Sequence, residues 1–139
     1  MPFKHEKFVA KVGDENREHL EADEQIEEAV PGETSSLSTT PIFVFVDLVR
    51  RLRGRVGSRL LILTDRNLYV AATGMTRPWK VKEVKARYPR SAAGPHLREY
   101  AKGGVVEVDG ERIHFQFPIA KHVRALVKAA GGGGAESAG

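Results

Sequence analysis

The sequence contains no cysteine, which excludes a disulfide framework and any thiolate metal site and fits a reducing compartment. It has no apolar run near the roughly 20 residues needed to span a bilayer. The longest covers 42–46, resuming with Leu48 and Val49 after Asp47. The opening MPFKHEKFVAKVGDE lacks the apolar stretch of a secretory signal. These absences predict a cytoplasmic protein, peripheral at the membrane inner face at most.

Signatures of chemistry are missing as well. There is no G-x-S-x-G elbow, and Ser58 sits instead in Arg-Val-Gly-Ser-Arg. There is no phosphate-binding glycine loop, and the acidic pair Glu27-Glu28 lies in a stretch that reads as solvated. The histidines, at positions 5, 19, 96, 114 and 122, form no i, i+4 pair and have no acidic partner at zincin spacing. Only His114 and His122 would approach one another, if a terminal helix folded over a strand. The expectation is therefore no catalytic residue, no cofactor and no metal: a binding protein, not an enzyme.

What is present is the composition of one soluble globular domain: 139 residues, 41% hydrophobic, 29% charged, with a net charge of +4. The charge is unevenly placed. Residues 13–33 carry nine acids against Arg17 alone, whereas 50–90 are dominated by arginine and lysine. Such a division either steers a polyanion or anionic lipid, or gives two solvated faces that attract each other.

The C-terminal end is the most legible. Asp109-Gly110 between alternating apolar runs is the signature of a two-residue type I′ hairpin. It pairs Val108 with Glu111 and Val106 with Ile113, and places Val106, Ile113, Phe115 and Phe117 on one face. Pro118 then suits a first helical position, and Ile119, Val123, Leu126, Val127 and Ala130 form a helical apolar stripe ended by Gly131. A second hairpin is expected around Asp65-Arg66-Asn67, with the apolar run 60–63 buried on both faces and so central. In Trp79-Lys80-Val81-Lys82 apolar and basic residues alternate. After Glu83 the phase shifts and Val84, Ala86 and Tyr88 become the inward set, which predicts a bulge or tight bend. Pro89 ends that strand.

Earlier, Phe8, Val9 and Val12 make one short helical face, residues 14–24 read as a loose helix or charged loop, and Pro31-Gly32 reads as a turn. A strand is expected to begin near Ile42 in the stretch 41–52.

Three segments together resemble the bacterial pleckstrin-homology-like (PH-like) families of the short actinobacterial type: the acidic lead-in 20–30, the strand–turn–strand 61–70 with its Thr64-Asp65-Arg66 turn, and the final hairpin and helix, 105–130. The family commonly has a further basic residue where Asn67 stands. The resemblance implies a mainly β fold: a strongly bent antiparallel sheet or partly open barrel of six to seven strands, capped by a C-terminal amphipathic helix. The expected organisation is an acidic, partly flexible N-terminal extension (1–22), the PH-like domain (23–130) and a disordered Gly-rich tail (131–139).

The candidate site is the basic segment containing Arg50, Arg51, Arg53, Arg55 and Arg59, whose glycine-bearing loop could wrap an anion. A protein or peptide partner is the leading expectation, since a bent open sheet offers an edge or groove. Anionic lipid bound through Arg50–Arg59 is the alternative. Nucleic acid is disfavoured by the acidic third and by the absence of a binding motif.

Overall fold

The computed structural model describes residues 5–34, 57–74, 76–100, 103–131 and 133–134. The strand expected in 41–52 lies outside them. Among the described residues three α-helices, α1 (His5–Glu15), α2 (Arg90–Ala93) and α3 (Ala120–Ala129), accompany eight strands. The strands are β1 (Ile26–Glu33), β2 (Ser58–Thr64), β3 (Asn67–Thr73), β4 (Val81–Pro89), β5 (Leu97–Tyr100), β6 (Val105–Val108), β7 (Glu111–His114) and the two-residue β8 (Gly133–Gly134). They lie in the order β4-β3-β2-β1-β7-β6-β5-β8. The first seven pair antiparallel and β8 joins β5 in parallel. No pairing among the described residues joins β4 to β5, so the sheet does not close into a barrel.

Alternation along the strands builds two cores. Val30, Leu61, Leu63, Leu68 and Val70 point to one side and meet Leu97, Val106, Val108 and Ile113 from β5–β7, with Val123, Leu126 and Val127 of α3 as the cover. Residues from both ends of the strand order share this cluster, so the sheet bends back on itself. Ala29, Leu60, Ile62, Tyr69 and Ala71 point to the other side and meet Phe8 and Val12 of α1. Every residue of β2 is therefore buried, as the run 60–63 predicts. Each fully buried leucine or isoleucine there contributes about 1.5–3 kcal/mol.

The segment 1–22, expected to be a partly flexible extension, thus supplies a helix that covers one face of the sheet, with Val12 fully buried. Within the tail, Gly133 and Gly134 pair with Arg98 and Glu99.

Strand β4 carries register shifts against β3 at two places, between Val70 and Ala71 and between Ala72 and Thr73. The expected phase change is real but doubled. Val84 stays with Val81 on the α1 side, while Ala86 and Tyr88 turn to the other core. The terminal hairpin has the predicted register, with Asp109 at φ 49° and Gly110 at φ 92° as a type I′ turn demands. Strand β7 ends at His114, and 117–119 form a 3₁₀ turn leading into α3. Gly131, at φ 83°, closes that helix through its N–H to the Lys128 carbonyl.

Pro31-Gly32, read as a turn, lies inside β1, opposite Leu60 and Arg59. The glycine serves proximity instead. A Cβ there would stand 2.7 Å from Ile113 Cγ2 and 2.8 Å from both the His114 carbonyl oxygen and Phe115 Cε1. Here β1 lies between β2, with which it pairs along its length, and β7, which it meets at Glu33 and His114. Gly32→Val is expected to lower stability by about 3 kcal/mol through overpacking, read as a shift in urea midpoint. An unchanged midpoint would mean that β7 is free to move away.

Candidate functional site

Of the five arginines of the basic segment, Arg50, Arg51, Arg53 and Arg55 lie outside the described residues. Arg59 is only 3% exposed. Its Nε donates to Glu111 Oε1 at 3.1 Å and its Nη1 to the Ser58 carbonyl at 3.2 Å, so the guanidinium is committed to tying β2 to β7. Just before it, Gly57 N donates to Thr34 Oγ1 at 2.9 Å and Thr34 N to the Gly57 carbonyl at 3.1 Å, continuing the β1–β2 pairing by one step.

The Thr64-Asp65-Arg66-Asn67 turn also faces inward. Thr64 Oγ1 accepts from the amides of Arg66 and Asn67 at 3.1 and 2.9 Å. Asp65 Oδ1 accepts from Gln25 N at 2.9 Å, and Arg66 donates to the Ala22 carbonyl at 3.0 Å. What it holds is the acidic lead-in, and above all Glu24, which is fully buried. The Glu24 carboxylate accepts from Tyr69 Oη at 2.6 Å, Asn67 Nδ2 at 3.0 Å, Glu21 N at 2.8 Å and Thr64 Oγ1. Burial pushes its pKa up, but the hydrogen bonds from Thr64, Tyr69, the Glu21 amide and Asn67 together outweigh it and hold the carboxyl below its ordinary value. Burial, then the bond to Glu24, pushes the Tyr69 hydroxyl up to about 12.

Among the described residues, some of the charges that looked like opposed fields pair with each other. Lys80 meets Glu18 at 2.8 Å, Arg66 and Arg87 lie 3.7 and 4.0 Å from Glu21, and Arg90 pairs with Glu27. Each exposed pair contributes little energy, but together they leave less of the basic middle to meet a polyanion.

A groove of about 570 Å³ opens along β5. Its lining includes His96, Arg98, Glu107 and Asp109, together with Gly94 and Gly131. Gly94 has no room for a side chain, since a Cβ would fall 2.5 Å from the Gly131 carbonyl oxygen. Asp109 Oδ1 binds His96 Nδ1 at 2.8 Å, Asp109 Oδ2 accepts from Tyr88, and the Tyr88 and His96 rings stack at 4.1 Å. Hydrogen bonds from Tyr88 and then His96 hold the Asp109 carboxyl below its ordinary value, while burial and the bond to Asp109 push the Tyr88 hydroxyl up to about 12.

On another face His122 of α3 does fold over a strand, but it meets β1 and α1 instead of His114. His5 Nε2 contacts Glu28 Oε1, His122 Nδ1 lies 3.6 Å from Glu28 Oε2, and the two imidazoles stack with centroids 3.6 Å apart. These residues sit on three elements far apart in sequence, so no local spacing could have announced them.

No family model matches the chain, and neither a curated protein nor a solved structure is similar to it.

Proposed function

We propose that the chain is a non-enzymatic, PH-like binding module that takes up an extended peptide segment of a partner protein along β5. The observation that carries this reading is the parallel pairing of Gly133–Gly134 with Arg98 and Glu99. The outer edge of β5 accepts an added strand, and what occupies it in this chain is a pair of glycines with no side chains to fill the adjoining groove. A peptide gains main-chain hydrogen bonds from such an edge and selectivity from side chains at alternate positions. The groove offers both signs of charge, through Arg98 and through Glu107 and Asp109, which suits a mixed polar segment better than a polyanion. The order β4-β3-β2-β1-β7-β6-β5 with a C-terminal helix over one core is in keeping with the PH-like reading. The lipid alternative loses Arg59 to Glu111.

Panning a random dodecapeptide library on the full chain tests the proposal. Enriched peptides should bind about tenfold more tightly to a Gly133→Pro/Gly134→Pro variant, whose tail has lost the amides it needs to compete. They should lose binding when N-methylated at alternate residues. Peptides indifferent to N-methylation, or none enriched alongside salt-sensitive binding to phosphatidylserine vesicles, would overturn it.

A further inference from the structure

We propose that His5, Glu28 and His122 form a site for one divalent transition-metal ion of the zinc class, clipping α1 and α3 to β1. One ligand atom from each of the three residues lies within 4.8 Å of the others. The set is two imidazole nitrogens and one carboxylate oxygen, the donor chemistry of zinc and its neighbours, unlike the all-oxygen shells of magnesium and calcium. The side chains are 12%, 16% and 28% exposed, sheltered enough to exclude most solvent yet open on the His122 side for entry and for a water ligand. Glu28 is further oriented by the Ala29 amide, which donates to Oε1 at 3.2 Å, the kind of support that ligating carboxylates usually have.

The geometry also states what binding must change. Metal–ligand distances of about 2.0–2.2 Å put ligand atoms roughly 3–3.5 Å apart with the ion in the plane of each ring. The imidazoles, now 15° from parallel, must therefore fan apart, and His122 as the most exposed of the three has the freedom to do so. Lys121 beside His122 opposes a cation, while the Glu28 carboxylate favours it. Because the ligands come from three separate elements, the site exists only in the folded chain. Occupancy should therefore stabilise the fold by mass action. This inference is independent of the peptide reading, since the groove along β5 shares no residue with it.

The test uses the full chain stripped with EDTA, freed of chelator and titrated with ZnCl2. The expected result is one zinc per chain after gel filtration and a rise in Tm on the order of 5 °C at a hundredfold excess over Kd. Both should be lost in His122→Gln and in Glu28→Gln. Proton NMR of the unsubstituted chain gives a second readout: ring signals of His5 and His122 should shift with zinc while those of His19, His96 and His114 stay. Sub-stoichiometric zinc, binding that survives both substitutions, or shifts centred on His96 would each overturn the assignment.

Discussion

Glu24→Ala is expected to lower stability by about 4 kcal/mol, because the carboxylate is the common acceptor of a buried donor set. Its loss takes the acceptor from the Tyr69 hydroxyl, in a residue only 1% exposed, and from the Glu21 amide, and leaves Asn67 Nδ2 with contacts of 3.4 Å to Glu21 and Tyr69. Each such orphan costs about 1–3 kcal/mol. A deficit of that size is a large part of the ~5–15 kcal/mol that holds a domain together. Urea unfolding measures it, and Tyr69→Phe added to the same chain should cost less than its effect alone, since the stranded hydroxyl goes with it. A loss below 1 kcal/mol would show that water reaches the site. The pH dependence follows from the same contacts. The carboxyl of Glu24 titrates below its ordinary 4.5 in the folded chain, so its contribution is whole above that value and fades as acid protonates the folded form. Glu24→Gln should therefore show a flatter acid limb than the unsubstituted protein. On the alkaline side the folded chain holds the Tyr69 proton until about 12, against 10.0 ordinarily, so stability falls as pH rises across that window.

Asn16→Ala should cost about 3 kcal/mol. Asn16 is fully buried. Its Nδ2 donates to the Val12 and Trp79 carbonyls at 2.8 and 2.7 Å, and its Oδ1 accepts from Val81 N at 2.9 Å. One side chain thus joins the end of α1 to the start of β4. Alanine would strand the Val81 amide and release that helix end, which also bears on the clip at His5. Faster hydrogen exchange at the Val81 amide, together with a lower urea midpoint, is the expected result. Unchanged exchange would mean that packing of Phe8 and Val12 holds α1 without the amide.

The sheet was legible wherever local chemistry decides conformation. Asp109-Gly110 sets a turn that few other pairs permit, and the unbroken run 60–63, next to a polar turn, reads as a central strand covered on both faces. Where a residue answers to a distant neighbour, the pattern misleads. Pro31-Gly32 has the composition of a turn, yet Gly32 is small because β7 passes against it. Glu24 looked like one more solvated acid among many, and nothing near it in sequence announces the Tyr69 hydroxyl. Asn16 sits among polar residues for the same reason. In β4 the alternation revealed a phase change, but not that Val84 would remain on the α1 side. Of the candidate site, Arg59 belongs by sequence to the basic segment expected to bind an anion, and its pairing depends on Glu111, a residue of the terminal hairpin. The Thr64-Asp65-Arg66 turn was noticed for its resemblance, and its bonds explain why such residues suit it: each holds the lead-in strand.

The place of β1 between β2 and β7 has a kinetic consequence. Among the described residues, pairing within β1–β4 and within β5–β7 links successive strands, whereas the two groups are joined by the Glu33–His114 pairing, the Arg59–Glu111 bond and their shared core. Local pairing within each group costs little loop-closure entropy, and the larger cost of bringing Glu33 to His114 is met when the two groups join. A side chain at position 32 obstructs that closure, so the Gly32→Val chain should refold more slowly, beyond any change in how fast it unfolds. The close approach of β7 at Gly32 is then also a point at which the two groups of strands must meet on the way to the native state.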